Sequence, residues 1–380
     1  MIYTIPYILL ISFFFFLGIF YETTENRKTR QNIAIATILV FFVFFGFRGF
    51  ILSDWTSYYS YFYDCDISYI TNYKIGSAKY WEPAYTALNI LCRAIFPDWQ
   101  FLVFTCSLIN TTLLLLFFRK RINNIPLALM LFVSFEGLGI MTNLMRNSIA
   151  ILLFMNSLRF IKERKPIPYY AICLIAFGFH SSSILYFPLY FFFHRKLNKW
   201  VYLGVFIVCN IVFITKISIF LSIAKLIGID QIFASRVEAY TEFYSKSTVI
   251  SIGYLERLLT GGLIFCYYEK LHSIRKENTI FINAMVAYFI LFFFFSEFEV
   301  LSKRMATLFS FGYWIIWYDL IHCFSIDNNR RLFKGFIYIY CVLKMVGMCH
   351  YADYDYDNVL FGAKSYQERL YLYNKNFQEQ

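Results

Sequence analysis

The feature that most constrains this chain is the repetition of apolar stretches about as long as a membrane is thick. A helix needs roughly 17–25 apolar residues to cross the hydrocarbon core, and runs such as Phe13–Phe16 and Phe292–Phe295 are too many to bury in one water-soluble core. Hydrophobic residues make up 59% of the 380 positions and charged residues only 16%, against about 25% charged in soluble domains. The sequence therefore predicts an integral membrane protein and excludes a cytosolic enzyme, a nucleic-acid-binding protein and a disordered scaffold.

Segment length and charge together predict the topology. The predicted spans are 3–20, 33–52, 101–118, 125–141, 144–161, 200–222, 249–267, 279–296, 304–322 and 334–350. The basic clusters between spans all face the cytoplasm, as the positive-inside rule requires, under two conditions. The apolar run 168–193 must be a short hairpin that returns to its own side, and the piece 84–96 must lie on the outer surface as a helix. We predict an all-α polytopic fold of about 12 membrane segments, with both termini outside.

The net charge of +11 is mainly a signal of orientation. Once the charges are assigned to loops, the excess of Lys and Arg lies on the cytoplasmic side and the outer loops are net acidic. We therefore expect no nucleic-acid partner. We expect one integral membrane domain over 1–380, with outer segments at 53–99 (bearing surface helices), 225–247 and the tail 351–380. The nine Cys form no Cys-x-x-Cys pair, and no phosphate-binding glycine loop is present, so the sequence predicts neither a metal site nor a cofactor.

The outer segments are rich in aromatic and acidic residues. Around Asp54 and Tyr58, and again around Glu82, rings alternate with carboxylates. Sugar rings stack on aromatic faces and their hydroxyls need acceptors, so this pattern fits a carbohydrate ligand. It also fits the interfacial aromatic belt of any polytopic protein, and composition alone leaves both interpretations open.

Charged residues at the ends of predicted spans are more informative, because an ionisable group there is costly and usually faces a cavity or a partner. Four arginines from distant parts of the chain, with Lys303 beside one of them, fall on the outer leaflet: Arg48, Arg146, Arg257 and Arg304. Arg suits bidentate capture of phosphate. We predict that the four guanidinium groups converge on a polyanionic ligand, the alternatives being lipid headgroups or ion pairs with nearby acids.

His180 lies at the tip of the predicted 168–193 hairpin and is followed by three serines. A hairpin that enters the membrane without crossing it is tolerated where it lines a cavity or is buried in protein. We predict that this polar tip forms the floor of an outward-facing pocket. The alternative is a packing histidine bonded to a backbone carbonyl.

Several short motifs carry a family resemblance through their order and spacing. They are Arg48-Gly49 with Asp54 and Tyr58, Glu82 with Tyr85, Met145-Arg146-Asn147-Ser148-Ile149-Ala150, Phe179-His180-Ser181-Ser182 and Lys303-Arg304-Met305. Over nearly its whole length the chain resembles the EpsG family, polytopic inner-membrane proteins of bacterial exopolysaccharide and capsule gene clusters that are akin to Wzy polymerases. Ser53 and Asn147 depart from the family pattern, which tends to have Gly and Gln there. The Asp54 loop with Trp81-Glu82-Pro83-Ala84-Tyr85 is also similar, more weakly, to GT-C membrane glycosyltransferases.

The resemblance implies a polymerase that joins oligosaccharide repeat units carried on undecaprenyl pyrophosphate, at the outer face of the bacterial cytoplasmic membrane. It implies Asp54 as general base and Glu82 as an alternate base or hydroxyl acceptor. His180 would bond pyrophosphate or acceptor, or serve as the base, with Tyr58 among the substrate-binding residues. Arg48, Arg146, Arg257, Arg304 and Lys303 would hold the pyrophosphate. The partners implied are the lipid-linked oligosaccharide, membrane lipids, a chain-length regulator and a flippase.

Other classes of function remain open on sequence alone. A flippase or exporter of lipid-linked saccharides would also have about 12 segments and a basic cavity, although it should show internal repeats, which this chain lacks. A membrane O-acyltransferase acting on glycans would use a histidine inside the membrane, as His180 is placed, but would leave the outer arginines without a purpose. A purely structural partner in a synthase complex is the third alternative.

Overall fold

The computed structural model describes residues 2–75, 77, 79–217, 251–296 and 299–378. Within these ranges the chain is helical, with short turns and one isolated antiparallel bridge between Arg48 and Asn358. The predicted all-α class is confirmed. The predicted outer loop 225–247 lies outside the described residues.

The helices follow the apolar segments of the sequence closely. In chain order they are α1 (Ile5–Thr23), α2 (Arg27–Gly46), α3 (Trp55–Asp64), α4 (Ile67–Thr71), α5 (Pro83–Ile95), α6 (Trp99–Phe118), α7 (Ile125–Phe132), α8 (Leu138–Thr142), α9 (Met145–Lys162), α10 (Pro166–Phe179), α11 (Leu189–Phe192), α12 (Lys199–Thr215), α13 (Ile252–Cys266), α14 (Tyr268–Ile274), α15 (Asn278–Phe294), α16 (Glu299–Thr307), α17 (Phe311–His322), α18 (Asp327–Met348) and α19 (Tyr366–Gln378).

Four helical segments among the described residues are long and apolar enough to cross a membrane. They are Ile2–Thr23, Arg27–Gly46, Trp99–Phe118 and Ile125–Thr142, and the last of these contains a π-helical bulge at Val133–Gly137 that joins α7 to α8. Shorter apolar helices occur at Pro166–Phe179, Lys199–Thr215 and Asn278–Phe294. The chain is therefore an all-α polytopic membrane protein.

The prediction of one continuous span over 304–322 is wrong. The chain forms α16 and α17 there, with a turn between them at Leu308, Phe309 and Ser310. The Ser310 Oγ donates to the Thr307 carbonyl (2.9 Å), and the Phe309 amide donates to the Ala306 carbonyl (2.9 Å). Hydroxyl groups that bond nearby carbonyls compete with the helical ladder in this way. Arg304 consequently lies in the last turn of α16 and does not open a long helix.

The predicted hairpin over 168–193 is confirmed. The helix α10 ends at Phe179, His180 is extended, and a 3₁₀ turn at Ser181–Tyr186 leads the chain back. The Tyr169 hydroxyl donates to the Tyr186 carbonyl (2.6 Å), and the Tyr190 ring lies 5.3 Å from that of Tyr169. Both limbs of the hairpin therefore lie side by side near the start of α10. A helix is also present at the predicted position 84–96, as α5, whose 13 residues are too few to cross a membrane.

The chain divides into two compact units, residues 1–190 with 328–380 and residues 191–327. In the first unit, one end is marked by the Tyr7 hydroxyl, which donates to the Tyr354 carbonyl (2.8 Å), and by the Gly49 amide, which donates to the Asp357 carbonyl (3.0 Å). We call this the loop end. At the opposite end of α1, the Asn124 side chain donates to the Gly18 carbonyl (2.9 Å). The start of α1 and the segment that follows α18 therefore lie at the same end of the unit.

Candidate functional site

The site is organised around an ion pair between Glu82 and Arg146. Glu82 immediately precedes α5, whose first residue is Pro83, and Arg146 is the second residue of α9. The Arg146 Nη1 donates to the Glu82 Oε2 (2.7 Å), and the Ser181 amide donates to the Glu82 Oε1 (2.9 Å). Glu82 is only 5% exposed. One buried carboxylate thus joins α5, α9 and the turn after α10.

Opposing effects set the charge state of Glu82. Burial raises the pKa of this carboxyl, but the Arg146 guanidinium, the Ser181 amide and His180 together hold the pKa below its usual range. The carboxylate is therefore ionised at neutral pH. An ionised carboxylate accepts hydrogen bonds and donates none, so Glu82 can hold hydroxyl groups but is a weak base.

Trp81 supports the guanidinium of the pair. The Arg146 Cζ lies 4.2 Å from the centre of the Trp81 ring system, and the Tyr61 ring stacks on Trp81 at 3.9 Å. Groups centred this close to one ring system must lie on opposite faces, so Trp81 lies between them. Tyr58 packs edge-on against Trp81 at 5.1 Å and lies 5.9 Å from the Arg146 Cζ. A cation over an aromatic face is stabilised by the ring quadrupole, and Arg146 is held in place by this contact as well as by Glu82.

His180 lies at the bend of the hairpin, as predicted, and its side chain is half-buried. Its Nδ1 is 2.7 Å from the Ser182 Oγ and accepts from the Ser182 amide at 3.2 Å. The Ser182 hydroxyl in turn lies 3.4 Å from the Asn147 Oδ1, next to Arg146 in the chain. The ring orientation is therefore fixed from the turn itself and linked to the first turn of α9.

These residues line a cavity of about 170 Å³. Its walls are the rings of Tyr73, Tyr80 and Trp81, the Glu82–Arg146 pair, His180, and the serines Ser77 and Ser181. The cavity has the aromatic and acidic lining that the sequence predicted for the outer loop. Within the described ranges, no three His, Cys, Asp or Glu side chains come together in a way that could hold a metal ion.

Asp54 lies at the same end of the first unit. It occupies the position before α3, half-buried, and its amide donates to the Asn143 Oδ1 (2.9 Å), three residues before Arg146. Burial raises the pKa of Tyr58, the nearby Arg146 charge lowers it and the Asp54 charge raises it again. The charges of both Arg146 and Asp54 therefore act on the Tyr58 hydroxyl. Five of the predicted site residues lie at the loop end: Asp54, Tyr58, Glu82, Arg146 and His180.

Arg48 lies inside the protein and is only 3% exposed. Its guanidinium donates to the Phe45 carbonyl (2.9 Å) and lies 3.4 Å from the Thr142 carbonyl and 3.5 Å from the Ser107 Oγ. Carbonyl groups at the C-terminal end of a helix attract cations, and Arg48 satisfies a carbonyl group in the last turn of α2 in this way. The structure therefore places Arg48 beneath the loop end as a packing residue, away from the lining of the cavity.

The other predicted cations belong to the second unit. Arg257 is 8% exposed, donates to the Gly253 carbonyl (2.6 Å) and the Tyr288 hydroxyl (2.9 Å), and has its Cζ 3.7 Å from the centre of the Phe292 ring. Lys303 and Arg304 lie on α16 with exposed side chains. The predicted convergence of four guanidinium groups stays a prediction.

Sequence reasoning missed how closely two of its candidates are paired. The family resemblance implies a role as base or hydroxyl acceptor for Glu82 and the pyrophosphate as the ligand of Arg146. In the structure the two side chains, although 64 residues apart in the chain, are bonded to each other. Nothing in the sequence indicates that these two residues are close, apart from the general rule that an ionisable group in or near a membrane span usually pairs with another polar group. Tyr73 and the Ser181 amide were missed as well, because a backbone donor has no sequence signature and Tyr73 was one of many loop tyrosines.

A comparison with protein families adds one finding. The model described as the EpsG family matches residues 35–361, which include every helix that contributes to the cavity. No curated protein and no solved structure matches the chain.

Proposed function

The chain belongs to the EpsG family, and on that premise we propose that it polymerises oligosaccharide repeat units carried on undecaprenyl pyrophosphate. The reaction would take place at the outer face of the bacterial cytoplasmic membrane, and the loop end of the first unit would face outward. The product would be a surface or extracellular polysaccharide. The segments 53–99 and 351–380 would then be the outer surface of one membrane-embedded domain.

The observation that carries this proposal is the cavity beside Glu82 and Arg146. A small cavity lined by three rings, a carboxylate and hydroxyl groups matches the needs of a sugar, which presents apolar C–H faces and many hydroxyl groups. The carboxylate is fixed by two donors, so a bound hydroxyl would meet a preorganised acceptor. A second acid, Asp54, whose charge acts on Tyr58 together with that of Arg146, would accept the proton.

The proposed chemistry is a single displacement at the anomeric carbon. An acceptor hydroxyl loses its proton to Asp54 as its oxygen bonds to the anomeric carbon of the donor, while the bond from that carbon to pyrophosphate breaks. Undecaprenyl pyrophosphate leaves with the bonding electron pair. General base catalysis needs the carboxylate within hydrogen-bond reach of the attacking hydroxyl. The negative charge that develops on the leaving pyrophosphate would be stabilised by cationic side chains, of which Arg is best suited to bidentate contact with phosphate.

The test is polymerisation by the purified full chain in lipid nanodiscs, supplied with lipid-linked repeat units. Asp54→Asn keeps the shape of the side chain and removes the base, so we expect polymer formation to fall at least 100-fold. Asp64→Asn, at the end of α3, is the matched control and should retain activity. Polymer ladders of equal length and yield from Asp54→Asn and wild type would refute the assignment of the base. Failure of the wild type to lengthen any lipid-linked repeat unit would refute the function.

A further inference from the structure

The cavity at the loop end has a charge balance that identifies which part of a glycosyl-transfer substrate it can hold. Among the described residues, its lining contains one cation, Arg146, and one anion, Glu82, so the net charge of these residues is zero with His180 neutral and +1 with His180 protonated. A pyrophosphate group carries at least two negative charges. A cavity with so little positive charge is a poor site for it, particularly where burial makes an uncompensated charge expensive.

The guanidinium of Arg146 already uses one of its five N–H groups. It donates to Glu82 at 2.7 Å and lies against the Trp81 ring, and its side chain is 21% exposed. Turning it towards a phosphate would leave the 5%-exposed Glu82 without its partner. Breaking a buried pair in this way costs far more than forming a partly exposed one returns. Arg146 therefore holds Glu82 in position.

The remaining groups suit an uncharged ring with hydroxyl groups. A carboxylate offers about four lone-pair sites, and two hydrogen bonds to Glu82 leave acceptor capacity for ligand hydroxyls. Both faces of Trp81 are covered by Tyr61 and Arg146, so Trp81 cannot stack on a ligand.

Tyr73 is a ring that can stack on a ligand. Among the described residues, no aromatic ring packs on Tyr73, although it lines the cavity. Burial raises the pKa of the Tyr73 hydroxyl, the Glu82 charge raises it further and the Arg146 charge lowers it, so both charged groups of the cavity act on this hydroxyl. The volume of about 170 Å³ is well below the roughly 300–1,000 Å³ typical of sites for drug-sized ligands, which leaves room for a single ring.

We infer that this cavity binds one uncharged sugar ring of the acceptor chain, stacked on Tyr73 with its hydroxyls on Glu82, and that it excludes the pyrophosphate of the donor. The inference rests on the proposed function only in naming the ligand as the acceptor. Arg146 becomes a positioning residue that acts through Glu82. The acceptor and the leaving group are then recognised by different residues.

Direct binding tests the inference without requiring polymerisation. The full chain in nanodiscs is titrated with methyl glycosides of glucose, galactose and N-acetylglucosamine, followed by saturation-transfer NMR, and then challenged with inorganic pyrophosphate. We expect at least one glycoside to bind and pyrophosphate not to displace it. Tyr73→Ala should weaken glycoside binding at least tenfold. The control Tyr371→Ala, on α19 where the side chain is 69% exposed, should leave it unchanged.

The outcomes separate this inference from the proposed function. Displacement of the glycoside by pyrophosphate, absence of binding by all three glycosides, or unchanged binding in Tyr73→Ala would each overturn the inference, even if polymer forms normally. Glycoside binding that is lost in Tyr73→Ala would sustain the sugar site even if no polymer forms. In the polymerisation assay, Tyr73→Ala should raise the KM for the acceptor at least tenfold and leave the KM for the donor unchanged.

Discussion

The Nη1 of Arg146 lies 2.7 Å from the Oε2 of Glu82 and connects the first turn of α9 to the residue that precedes α5. This contact joins the 18-residue helix α9 to the 13-residue helix α5. Because Glu82 also accepts from the Ser181 amide, the hairpin turn is fixed to the same point. The relative positions of three elements around the cavity therefore depend on one carboxylate.

Removing either partner of this pair should be strongly destabilising. Arg146→Ala leaves a buried carboxylate without its counter-charge, and we expect the free energy of unfolding to fall by about 3 kcal/mol. Glu82→Ala should have a similar effect. The double variant should lose clearly less than the sum of the two, because the second change removes the group that the first left unpaired. Unfolding of the detergent-solubilised protein, followed by circular dichroism, measures all three.

The control for that cycle is the exposed pair formed by Lys165 and Glu163, whose side chains are 61% and 43% exposed. Exposed pairs contribute up to about 1 kcal/mol, so Lys165→Ala should change the free energy of unfolding by less than that. Equal losses at the two pairs would contradict the role assigned to the buried one.

Stability should depend on pH through Glu82. Its pKa in the folded protein is below the ordinary value of 4.5, so the stabilisation is fully present above that value and is lost as the pH falls through the lower, folded value. The difference in unfolding midpoint between wild type and Glu82→Gln should therefore be constant from pH 7 down to about pH 5 and shrink below 4.5. A difference that grows on acidification would have the wrong sign. Glu163→Gln should show little difference at any pH.

Most of the fold was predictable because hydrophobic length and charge act on whole segments. Segment length located the apolar helices, and the distribution of Lys and Arg identified the 168–193 hairpin and the short helix α5, neither of which has a strong local signature. The break at Leu308–Ser310 was not predictable from hydropathy, because the turn depends on hydroxyl-to-carbonyl bonds that form in an apolar stretch.

The site was predictable as a set of residue types but not as a set of contacts. The cost of a charge at the end of a span selected Arg146, the aromatic and acidic pattern of the outer loop selected Glu82, and the hairpin tip selected His180. The structure places all three in one cavity. The same arguments could not separate Arg146, which lines the cavity, from Arg48, whose donors are satisfied by carbonyl groups in the interior. That distinction depends on packing between elements far apart in sequence.

The contact between Gly49 and Asp357 should not tolerate a side chain. A Cβ at Gly49 would overlap the Asp357 carboxylate, so Gly49→Ala must displace the Asp357 side chain and should cost about 2 kcal/mol in the free energy of unfolding. Gly335→Ala in α18, where a Cβ meets nothing within 4 Å, is the matched control. It should stabilise the protein by about 0.5–1 kcal/mol, because alanine favours a helix. If the two substitutions shift the unfolding midpoint in the same direction, the predicted steric conflict does not exist.

Arg369 should control the opening of the loop that carries Asp54. This side chain is 5% exposed, donates to the Asp355 Oδ2 (3.0 Å) and lies 3.2 Å from the Asp353 carbonyl, which itself accepts from the Leu52 amide (2.8 Å). Arg369→Ala should weaken this end by about 2 kcal/mol and speed hydrogen exchange at Leu52 by roughly thirtyfold.

The matched control for Arg369 is Lys375→Ala, on the same helix but with an exposed side chain. It should leave exchange at Leu52 unchanged. Residue 369 lies beyond the segment that matches the family model, so the prediction concerns a feature of this chain and not one carried over from the family. Equal exchange rates in Arg369→Ala and wild type would show that the tail does not hold the loop.

The bond from the Tyr7 hydroxyl to the Tyr354 carbonyl sets an order of events during biosynthesis. The two residues are 347 positions apart, and ribosomes add roughly 5–20 residues per second, so the partner of Tyr7 emerges on the order of 20–70 s after Tyr7 itself. The first helices must therefore insert and wait, with the Asp54 loop uncovered, until the last part of the chain arrives to cover it. A nascent chain stalled before residue 350 would be inserted in the membrane but would still lack the cover of its loop end.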